Sequence, residues 1–529
     1  MAGLLQRGRA GFAAMLVMLV LALPGFFTLP PVDRDEARFA QSSAQMLASG
    51  DVIDIRLGDD PRWKKPAGIY WLQAASAGLT GAPGEIWSYR LISLLAAMAS
   101  VGLTVAIARR VMGEVAALLA GVMLAASFLM GGEARLAKTD AAQLAAILAS
   151  VLVLARLFLP AGRGQTPTAS LPLAMGFWAT LAVGILIKGP IPVLVALGTL
   201  SLLCLYRRDL ALLRALRPLP GIALLLALVL PWLIAITIRS DGAFWAASVG
   251  EDLLAKVGAG QENHGAPPGS YLAALWLTFW PGAALFAAAL PALWRGRREA
   301  VVIFCLAWAV PVWLVFELTA TKLIHYVLPA YPALAILTAW GLQQAVPGRW
   351  AKSVASLLAV AVAALLPVAL WVGAGQVGGA LGWPFWLGAV ALLPGLALLL
   401  TGLWCNRRPA MTAGLAGLGM ALAVMLYPTL ARMPPIWPSV ALAEAGRAHP
   451  GCRLITLGFG EPSLLFLTRA EARFATEESL PGLLAEPGCV LLAVADGTAP
   501  EGMQPEGRLE GFTNLGSGKR LDFALYLRP

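Results

Sequence analysis

The sequence is dominated by long apolar runs separated by short polar or basic stretches. Each run is long enough, or nearly so, to cross a hydrocarbon layer of about 30 Å as an α-helix. A hydrophobic fraction of 59% is also too high for an ordinary soluble domain. The pattern predicts a polytopic α-helical membrane protein with about 13 transmembrane helices. The runs cover residues 11–30, 87–108, 113–131, 141–160, 171–187, 189–206, 219–238, 271–294, 300–318, 323–345, 353–374, 383–404 and 411–431.

Basic residues occupy alternate loops between these runs, which is the positive-inside pattern. The net charge of +10 therefore reflects topology and does not indicate a nucleic-acid partner. The rule places the N-terminus in the cytoplasm and the C-terminal segment outside. The first helix is expected to stay uncleaved, because no small-x-small cleavage site follows it before residue 31. This topology requires 171–187 and 189–206 to be separate helices, since merging them would invert everything downstream. The predicted cytoplasmic clusters are Arg109 and Arg110; Arg156 and Arg163; Arg207, Arg208, Arg214 and Arg217; Arg295, Arg297 and Arg298; Arg349 and Lys352; and Arg407 and Arg408.

The opposite loops collect acidic and mixed charges. The first outer loop, 31–86, is densely charged, and its residues 36–48 and 69–79 are predicted to form interfacial helices. Shorter loops carry Glu133, Arg135, Lys138 and Asp140; Lys188; residues 239–270; and Glu317 to Tyr326. Charges at helix ends on one membrane face suit an anionic ligand and acid–base chemistry. The alternative is mutual pairing or contact with headgroups. Function is favoured for Lys188 and Asp140, and a solvated surface for Asp241, Glu251 and Asp252.

The composition changes after Pro434-Pro435-Ile436-Trp437-Pro438. Residues 1–432 are predicted to form the membrane domain and residues 433–529 a small outer α/β domain. Its strands are predicted in RLITLG, CVLLAVAD and LDFALYL, and its helices in VALAEAGRAH and EPSLLFLT. Cys452 and Cys489 lie just before two of these strands, so a disulfide is expected if the strands are parallel neighbours. Two unpaired buried cysteines are equally compatible with the sequence.

Several motifs carry a resemblance to a known family. They are DRDEARFAQSSAQMLASGD, RWKKPAGIYWLQAAS, YRLISLL, ARLAKTD, Lys188-Gly189-Pro190, ENHGAPPGSYL and TKLIHYVLPAYPALAIL. As a set, they resemble bacterial polyprenyl-phosphate-sugar glycosyltransferases of the GT-C superfamily, which include lipid A aminoarabinose transferases and relatives of protein O-mannosyltransferases. The resemblance implies a GT-C fold in the bacterial inner membrane, with the active site and a C-terminal α/β domain in the periplasm.

The resemblance also implies a reaction: a sugar moves from an undecaprenyl-phosphate carrier to a periplasmic-face acceptor, with inversion at the anomeric carbon. The acceptor is left open among lipid A, another envelope polysaccharide and a protein. Asp35 matches the family's essential first-loop aspartate, Asp140 a second important aspartate, and Lys65 a lysine that meets the donor phosphate. The other matched positions are Lys188, His264, Lys322 and Tyr326.

Chemistry assigns roles to these residues. Inverting transfer needs a base for the acceptor proton, and Asp35 is preferred over Asp140. The leaving lipid phosphate gains charge as its bond breaks, so aimed cations stabilise the transition state. The cations predicted to bind it are Arg38, Lys65, Lys188 and Lys322. The remaining predicted cavity residues are Glu36, Lys64, Arg135, His264 and Tyr326.

The sequence departs from the aminoarabinose transferases at one position. Those enzymes carry a glutamate before the Lys-Pro motif that, with the histidine matching His264, forms a metal site. Lys64 stands there in this chain. This argues against a divalent metal bound as in those enzymes and against aminoarabinose as the sugar. A transporter or flippase of lipid-linked sugars is the alternative function, although no internal repeat supports it.

Overall fold

The structure is a computed structural model that describes residues 8–161, 166–254, 265–495 and 502–528. Within this part of the chain, eight helices are long and apolar enough to cross a membrane. The bent pair Ser270–Thr278 and Gly282–Arg295 makes a ninth. The chain is therefore a multi-pass membrane protein, whereas the number 13 stays a prediction. The eight helices are Ile86–Ala108, Asp140–Pro160, Leu171–Lys188, Pro218–Arg239, Ala300–Leu318, Arg349–Gln376, Trp383–Trp404 and Arg408–Ala431.

Shorter helices complete the bundle and join its spans. Arg9–Ala22, Glu114–Ala126 and Ile191–Arg207 are apolar and 13–17 residues long. Every predicted apolar run thus overlaps a helix or a broken pair of helices, although the first run, 11–30, extends beyond its helix. Four further α-helices lie between these elements: Phe128–Glu133, Ala211–Ala215, Ala243–Trp245 and Tyr331–Gln344. A π-helix covers Ala246–Leu254, and 3₁₀ turns cover Ile324–Ala330 and Pro434–Ile436.

Gly189 separates two helices whose apolar runs, 171–187 and 189–206, are divided by very few residues in the sequence. Its φ of 71° and ψ of −140° form a conformation that residues with a Cβ rarely adopt. Helix Leu171–Lys188 ends there, and helix Ile191–Arg207 returns beside it. The return is tight, because a Cβ on Gly184 would lie 2.7 Å from Pro192. The prediction of two separate helices is confirmed.

The first outer loop contains the two predicted helices. Helix Asp35–Ser49 ends at Gly50, whose left-handed φ of 72° stops it. A two-stranded hairpin follows, made of β1 (Arg56–Leu57) and β2 (Asp60–Pro61), and then helix Gly68–Thr80. The two helices pack on each other, and the Ser43 hydroxyl donates to the Gln73 side chain at 2.8 Å. The loop is a folded layer over one end of the bundle.

The C-terminal region forms a five-stranded sheet with strand order β4-β3-β5-β7-β6. Pairing is parallel among β4, β3 and β5, and antiparallel from β5 through β7 to β6. The strands are β3 (Arg453–Leu457), β4 (Arg473–Ala475), β5 (Val490–Ala495), β6 (Gln504–Thr513) and β7 (Arg520–Arg528). The helices are Pro438–Ala448, Pro462–Leu467 and Leu480–Ala485. The predicted strands β3, β5 and β7 and the first two helices are confirmed.

Two strands of this sheet were not predicted. Strand β4 has only three residues, and β6 carries a proline, two glycines and three charges along an edge with register shifts. The Cys452–Cys489 disulfide, which the sequence left open, is present, with the two Cα atoms 4.4 Å apart. It forms because β3 and β5 are parallel neighbours, with Arg453 opposite Val490.

The C-terminal domain rests directly on the first outer loop. Phe466 meets the Tyr89 ring edge-on at 5.5 Å and packs with Ala40 and Ala137. The backbone N–H of Ser463 donates to the Asp33 carboxylate at 3.3 Å. The domain is thus packed against the loop that carries Asp35.

Candidate active site

A polar cavity of about 580 Å³ opens between the first outer loop and the ends of the spans. Residues from five separate loops meet in it, including Glu251 of the 239–270 loop, so these loops lie on one side of the bundle. The predicted site residues that line the cavity are Asp35, Glu36, Arg38, Lys64, Lys65, Asp140, Lys188 and Tyr326.

Asp140 lies at the centre of an ion-pair network. It begins helix Asp140–Ala161, and its Oδ1 accepts from Lys188 Nζ at 2.5 Å. Lys138 Nζ lies 3.8 Å from Asp140 Oδ2 and 3.2 Å from Glu133 Oε1. His325 Nε2 lies 3.7 Å from Asp140 Oδ1. Asp140 therefore holds Lys188 by a direct hydrogen bond and lies beside Lys138 and His325 at the cavity wall.

Asp35 is the first residue of helix Asp35–Ser49, and Arg34 before it has a positive φ of 66°. A non-glycine residue in such a conformation stores strain, which proteins tolerate mainly at functional sites. Burial alone would raise the pKa of Asp35, but the positive charges of Lys138, of His325 in its protonated form and, more weakly, of Arg62 lower it below its usual range. Asp35 is therefore a carboxylate at neutral pH and can accept a proton.

His325 is held in its neutral form. Burial opposes the charged imidazolium, and the positive charges of Lys138 and Lys188 add to this effect against the attraction of Asp140. Together they lower the pKa of His325 to about 3. His325 can therefore exchange hydrogen bonds in the cavity without adding charge.

Three side chains of this ion-pair network are of the types that bind metal ions and lie close together. Donor atoms of Glu133, Asp140 and His325 lie within 4.8 Å of one another. Each carboxylate is already neutralised by a lysine ammonium, Lys138 on Glu133 and Lys188 on Asp140. A divalent cation would have to displace or face both ammonium groups, so the arrangement does not fit one. His264, the predicted metal-ligand candidate, lies outside the described residues.

A second, apolar cavity of about 640 Å³ continues from the first. It runs beside the helices Leu171–Lys188, Ile191–Arg207 and Ala300–Leu318. We call it the apolar groove. Its apolar wall includes Ile185, Ile191, Val193, Leu194, Leu233, Phe244, Trp245, Val315 and Phe316. Its polar end is shared with the first cavity through Lys64, Lys65, Asp140, Lys188, His325 and Tyr326. An amphiphile with a long apolar tail and an anionic head fits this combination.

Three predicted site residues have their functional atoms outside the two cavities. Lys322 Nζ donates to the carbonyls of Glu317 and Thr319, at 3.0 and 2.6 Å, and lines neither cavity. Arg135 is buried under the Tyr427 ring, with its guanidinium carbon 4.0 Å from the ring centroid, and it donates to three backbone carbonyls. Glu36 touches the cavity wall, but its carboxylate points to a buried partner.

That partner is Arg90, which the sequence did not single out. The two side chains are at most 1% exposed, and Arg90 Nε and Nη2 donate to the two oxygens of Glu36 at 2.8 Å each. The other guanidinium protons go to the carbonyls of Phe26, Leu29 and Pro30. All five N–H donors are therefore used.

Glu36 is equally satisfied on its own side. Besides Arg90, its oxygens accept from the backbone N–H groups of Val32 and Ala137, at 2.9 and 2.8 Å. Glu36 directly follows Asp35, and Ala137 lies three residues before Asp140. The pair thus joins the two segments that present the aspartates to the cavity.

Sequence reasoning also missed Lys138, Glu133 and His325 as site residues. All three lie inside or beside motifs that were already recognised, ARLAKTD and TKLIHYVLP. Their charge in an otherwise apolar bundle was the available signal. Which charge pairs with which depends on contacts between separate loops, which spacing does not reveal.

Comparisons with known proteins agree with this geometry. Residues 64–234 match the family model described as dolichyl-phosphate-mannose-protein mannosyltransferase. The chain is 29% identical over 334 residues to undecaprenyl phosphate-alpha-4-amino-4-deoxy-L-arabinose arabinosyl transferase 1 of Pseudomonas fluorescens. The match covers 60% of this chain and 56% of that relative. The transferase of Pseudomonas aeruginosa is also 29% identical, over 62% of this chain and 59% of its own length. The chain thus spans somewhat more than half the length of these relatives.

Solved structures show the fold. ArnT from Cupriavidus metallidurans bound to undecaprenyl phosphate superposes with a TM-score of 0.77, covers 97% of each chain and is 21% identical. The archaeal oligosaccharyltransferase AglB from Archaeoglobus fulgidus superposes with a TM-score of 0.51 over 92% of this chain and 69% of its own, at 11% identity. The chain therefore has the GT-C fold, and the resemblance read from its motifs is confirmed.

Proposed function

We propose that this protein is an inverting glycosyltransferase that moves a sugar from an undecaprenyl-phosphate carrier to an acceptor at the outer face of the bacterial inner membrane. The carrying observation is the apolar groove that ends at Lys65 and Lys188, beside Asp35 and Asp140. A polyprenyl chain fills such a groove, and its phosphate meets the lysines. The names of the relatives, which act on an undecaprenyl-phosphate sugar, support the same donor class.

The proposed reaction has one displacement step. The acceptor hydroxyl attacks the anomeric carbon, and its proton passes to the Asp35 carboxylate. The bond between that carbon and the phosphate oxygen breaks, and its electron pair stays on the lipid phosphate. Lys65 and Lys188 stabilise the charge that grows there. Asp140 positions Lys188 through the 2.5 Å contact and leaves Asp35 free to act as the base.

The membrane orientation belongs to the proposal. With the basic loops in the cytoplasm, the catalytic cavity and the C-terminal domain face the periplasm. The acceptor is an envelope glycolipid such as lipid A, or another envelope glycan. Nothing in the comparisons favours a transporter, and most buried charges of the described residues gather at one end of the bundle, whereas Lys352 is buried elsewhere.

The test compares wild type with Asp35→Asn in nanodiscs, using a radiolabelled undecaprenyl-phosphate sugar and an envelope glycolipid acceptor. Wild type is expected to transfer label, and Asp35→Asn to lose it by about 10²–10⁴-fold while it still binds the donor. Glu510→Gln, the same type of change at an exposed carboxylate of β6, is the matched control. Full transfer by Asp35→Asn would remove Asp35 from the role of base.

A further inference from the structure

A third cavity, of about 570 Å³, separates the first outer loop from the C-terminal domain. We call it the outer crevice. Arg34, Arg38 and Asp60 line it from the loop, and Glu461 and Phe474 line it from the domain. Its two walls are fixed relative to each other, because the domain is packed on the loop through Phe466 and the Ser463 backbone. The crevice is therefore a formed part of the structure.

Shared residues give the order of the three cavities. The outer crevice and the catalytic cavity have Arg34 and Arg38 in common. The catalytic cavity and the apolar groove share Lys65 and Lys188, whereas the groove and the crevice share no lining residue among the described part of the chain. The catalytic cavity thus lies between the other two, with one entrance from the spans and one from the outer face.

An inverting displacement needs this arrangement. The attacking oxygen approaches the anomeric carbon on the side opposite to the departing phosphate oxygen. The donor phosphate and the acceptor must therefore lie on opposite sides of that carbon. With the donor phosphate at Lys65 and Lys188, the acceptor comes from the side of Arg38. Arg38 lies about one turn after Asp35 on the same helix, so the two side chains lie on one face. The backbone N–H of Arg38 donates to the Arg34 carbonyl, where the helix begins.

The chemistry of the crevice defines what it binds. The half-buried Arg38 side chain forms no hydrogen bond with the residues that the structure describes, and Arg34 adds a second guanidinium beside it. Guanidinium groups at such a site suit phosphate or carboxylate. Asp60 and Glu461 offer acceptors for sugar hydroxyls, and the Phe474 ring offers an apolar face. This combination suits a saccharide that carries an anionic group.

We infer that the outer crevice binds the anionic saccharide headgroup of the acceptor, and that Glu461 and Phe474 make the C-terminal domain a determinant of acceptor specificity. The inference rests on the proposed function, because it places the acceptor of that same reaction. It reassigns Arg38 from the donor phosphate to the acceptor.

The experiment measures donor and acceptor kinetics separately for wild type, Glu461→Gln, Phe474→Leu and the control Glu510→Gln, all in nanodiscs. Glu461→Gln and Phe474→Leu are expected to raise the KM for a phosphorylated glycolipid acceptor about tenfold, because a bond to a charged group or a ring contact is lost. The KM for the undecaprenyl-phosphate sugar is expected to stay within about twofold in all four proteins. An unchanged acceptor KM in both crevice variants, or an equal rise in donor KM, overturns the inference.

Binding probes identify the ligand class independently of turnover. A phosphorylated glucosamine disaccharide is expected to bind wild type by calorimetry and to bind both crevice variants more weakly. The same disaccharide without phosphate is expected to bind less tightly than the phosphorylated form. Two results would overturn headgroup recognition. One is that the intact glycolipid prevents acceptor binding but its deacylated headgroup does not. The other is that a serine-rich peptide competes with the acceptor and the disaccharide does not.

The probes also separate the two proposals. If the wild-type protein binds the disaccharide, the crevice variants bind it more weakly, and no sugar is transferred, the crevice site is supported and the proposed function is refuted. If the wild-type protein transfers sugar but does not bind the disaccharide, and the variants have a normal acceptor KM, the crevice site is refuted and the proposed function is supported.

Discussion

The buried pair of Glu36 and Arg90 offers the sharpest test of how the site is assembled. The perturbation is Glu36→Gln, which keeps the shape and removes the charge. Glu36 accepts four hydrogen bonds, two from Arg90 and one each from the Val32 and Ala137 backbones. A glutamine amide has only one oxygen, so its NH₂ group must face N–H donors. Arg90 is then left buried at 0% exposure without a counter-charge.

The magnitude follows from these contacts. Breaking a buried ion pair by removing one partner costs about 3–5 kcal/mol. An exposed pair such as Arg508–Glu510, whose N and O atoms are 3.5 Å apart, contributes only about 0–1 kcal/mol. We therefore expect Glu36→Gln and Arg90→Gln each to lower the melting temperature strongly, and Glu510→Gln to leave it nearly unchanged. The double variant is expected to be clearly less destabilised than the sum of the two single changes.

Activity supplies a second readout that a merely stabilising pair would not move. Glu36 positions Asp35 and, through Ala137, the segment that leads to Asp140. A displacement of about 1 Å at the reaction centre costs about 10²-fold in rate. Well below their melting temperature, both single variants are expected to lose kcat with little change in donor KM. Normal kcat in a folded Glu36→Gln protein would refute the positioning role, and additive single effects on stability would refute the pair.

Two further predictions concern Asp33 and Lys188. Burial, aided by the negative charge of Glu461 and opposed by the hydrogen bonds from Ser463, raises the pKa of Asp33 from 3.8 to about 7. The docked state then binds more protons than the undocked one, so docking of the C-terminal domain is expected to weaken as pH rises from about 4 to 7. Hydrogen exchange at residues 462–467, corrected for intrinsic rates, measures this, and the same slope in Asp33→Asn would contradict it. Lys188→Met is expected to lower kcat/KM for the donor about 100-fold, because a cation at the leaving phosphate is lost. Lys322→Met, which removes a lysine that lines neither cavity and donates to two backbone carbonyls, is expected to change donor kinetics far less. Equal losses in the two variants would count against the phosphate site.

The sequence predicted the parts of this protein that depend on local pattern. Apolar length identified the spans, and Gly189 with Pro190 marked a break that the structure confirms. Alternating and buried runs identified the main strands of the outer domain. Strands β4 and β6 were not predicted, because β4 is very short and β6 is a polar strand at the edge of the sheet.

Pairing between distant charges could not be predicted in the same way. Arg135 has the charge of a cavity residue, yet it donates to backbone carbonyls, two of them at the distant residues Leu21 and Pro24, and lies over Tyr427. Arg90 was quoted only as part of a motif, yet it holds the first loop in place. A charge between apolar helices is predictable from sequence, but whether it faces a ligand, a carbonyl or a counter-ion depends on tertiary contacts.

The central claim is that a sugar leaves a lipid phosphate at Lys65 and Lys188 and is joined to an acceptor that enters from the side of Asp35. The most direct measurement follows the donor in proteoliposomes and determines the released carrier and the anomeric configuration of the product together. We predict one undecaprenyl phosphate released for each sugar transferred, with the configuration inverted. Movement of the intact lipid-linked sugar across the bilayer, with no carrier released, would contradict the account.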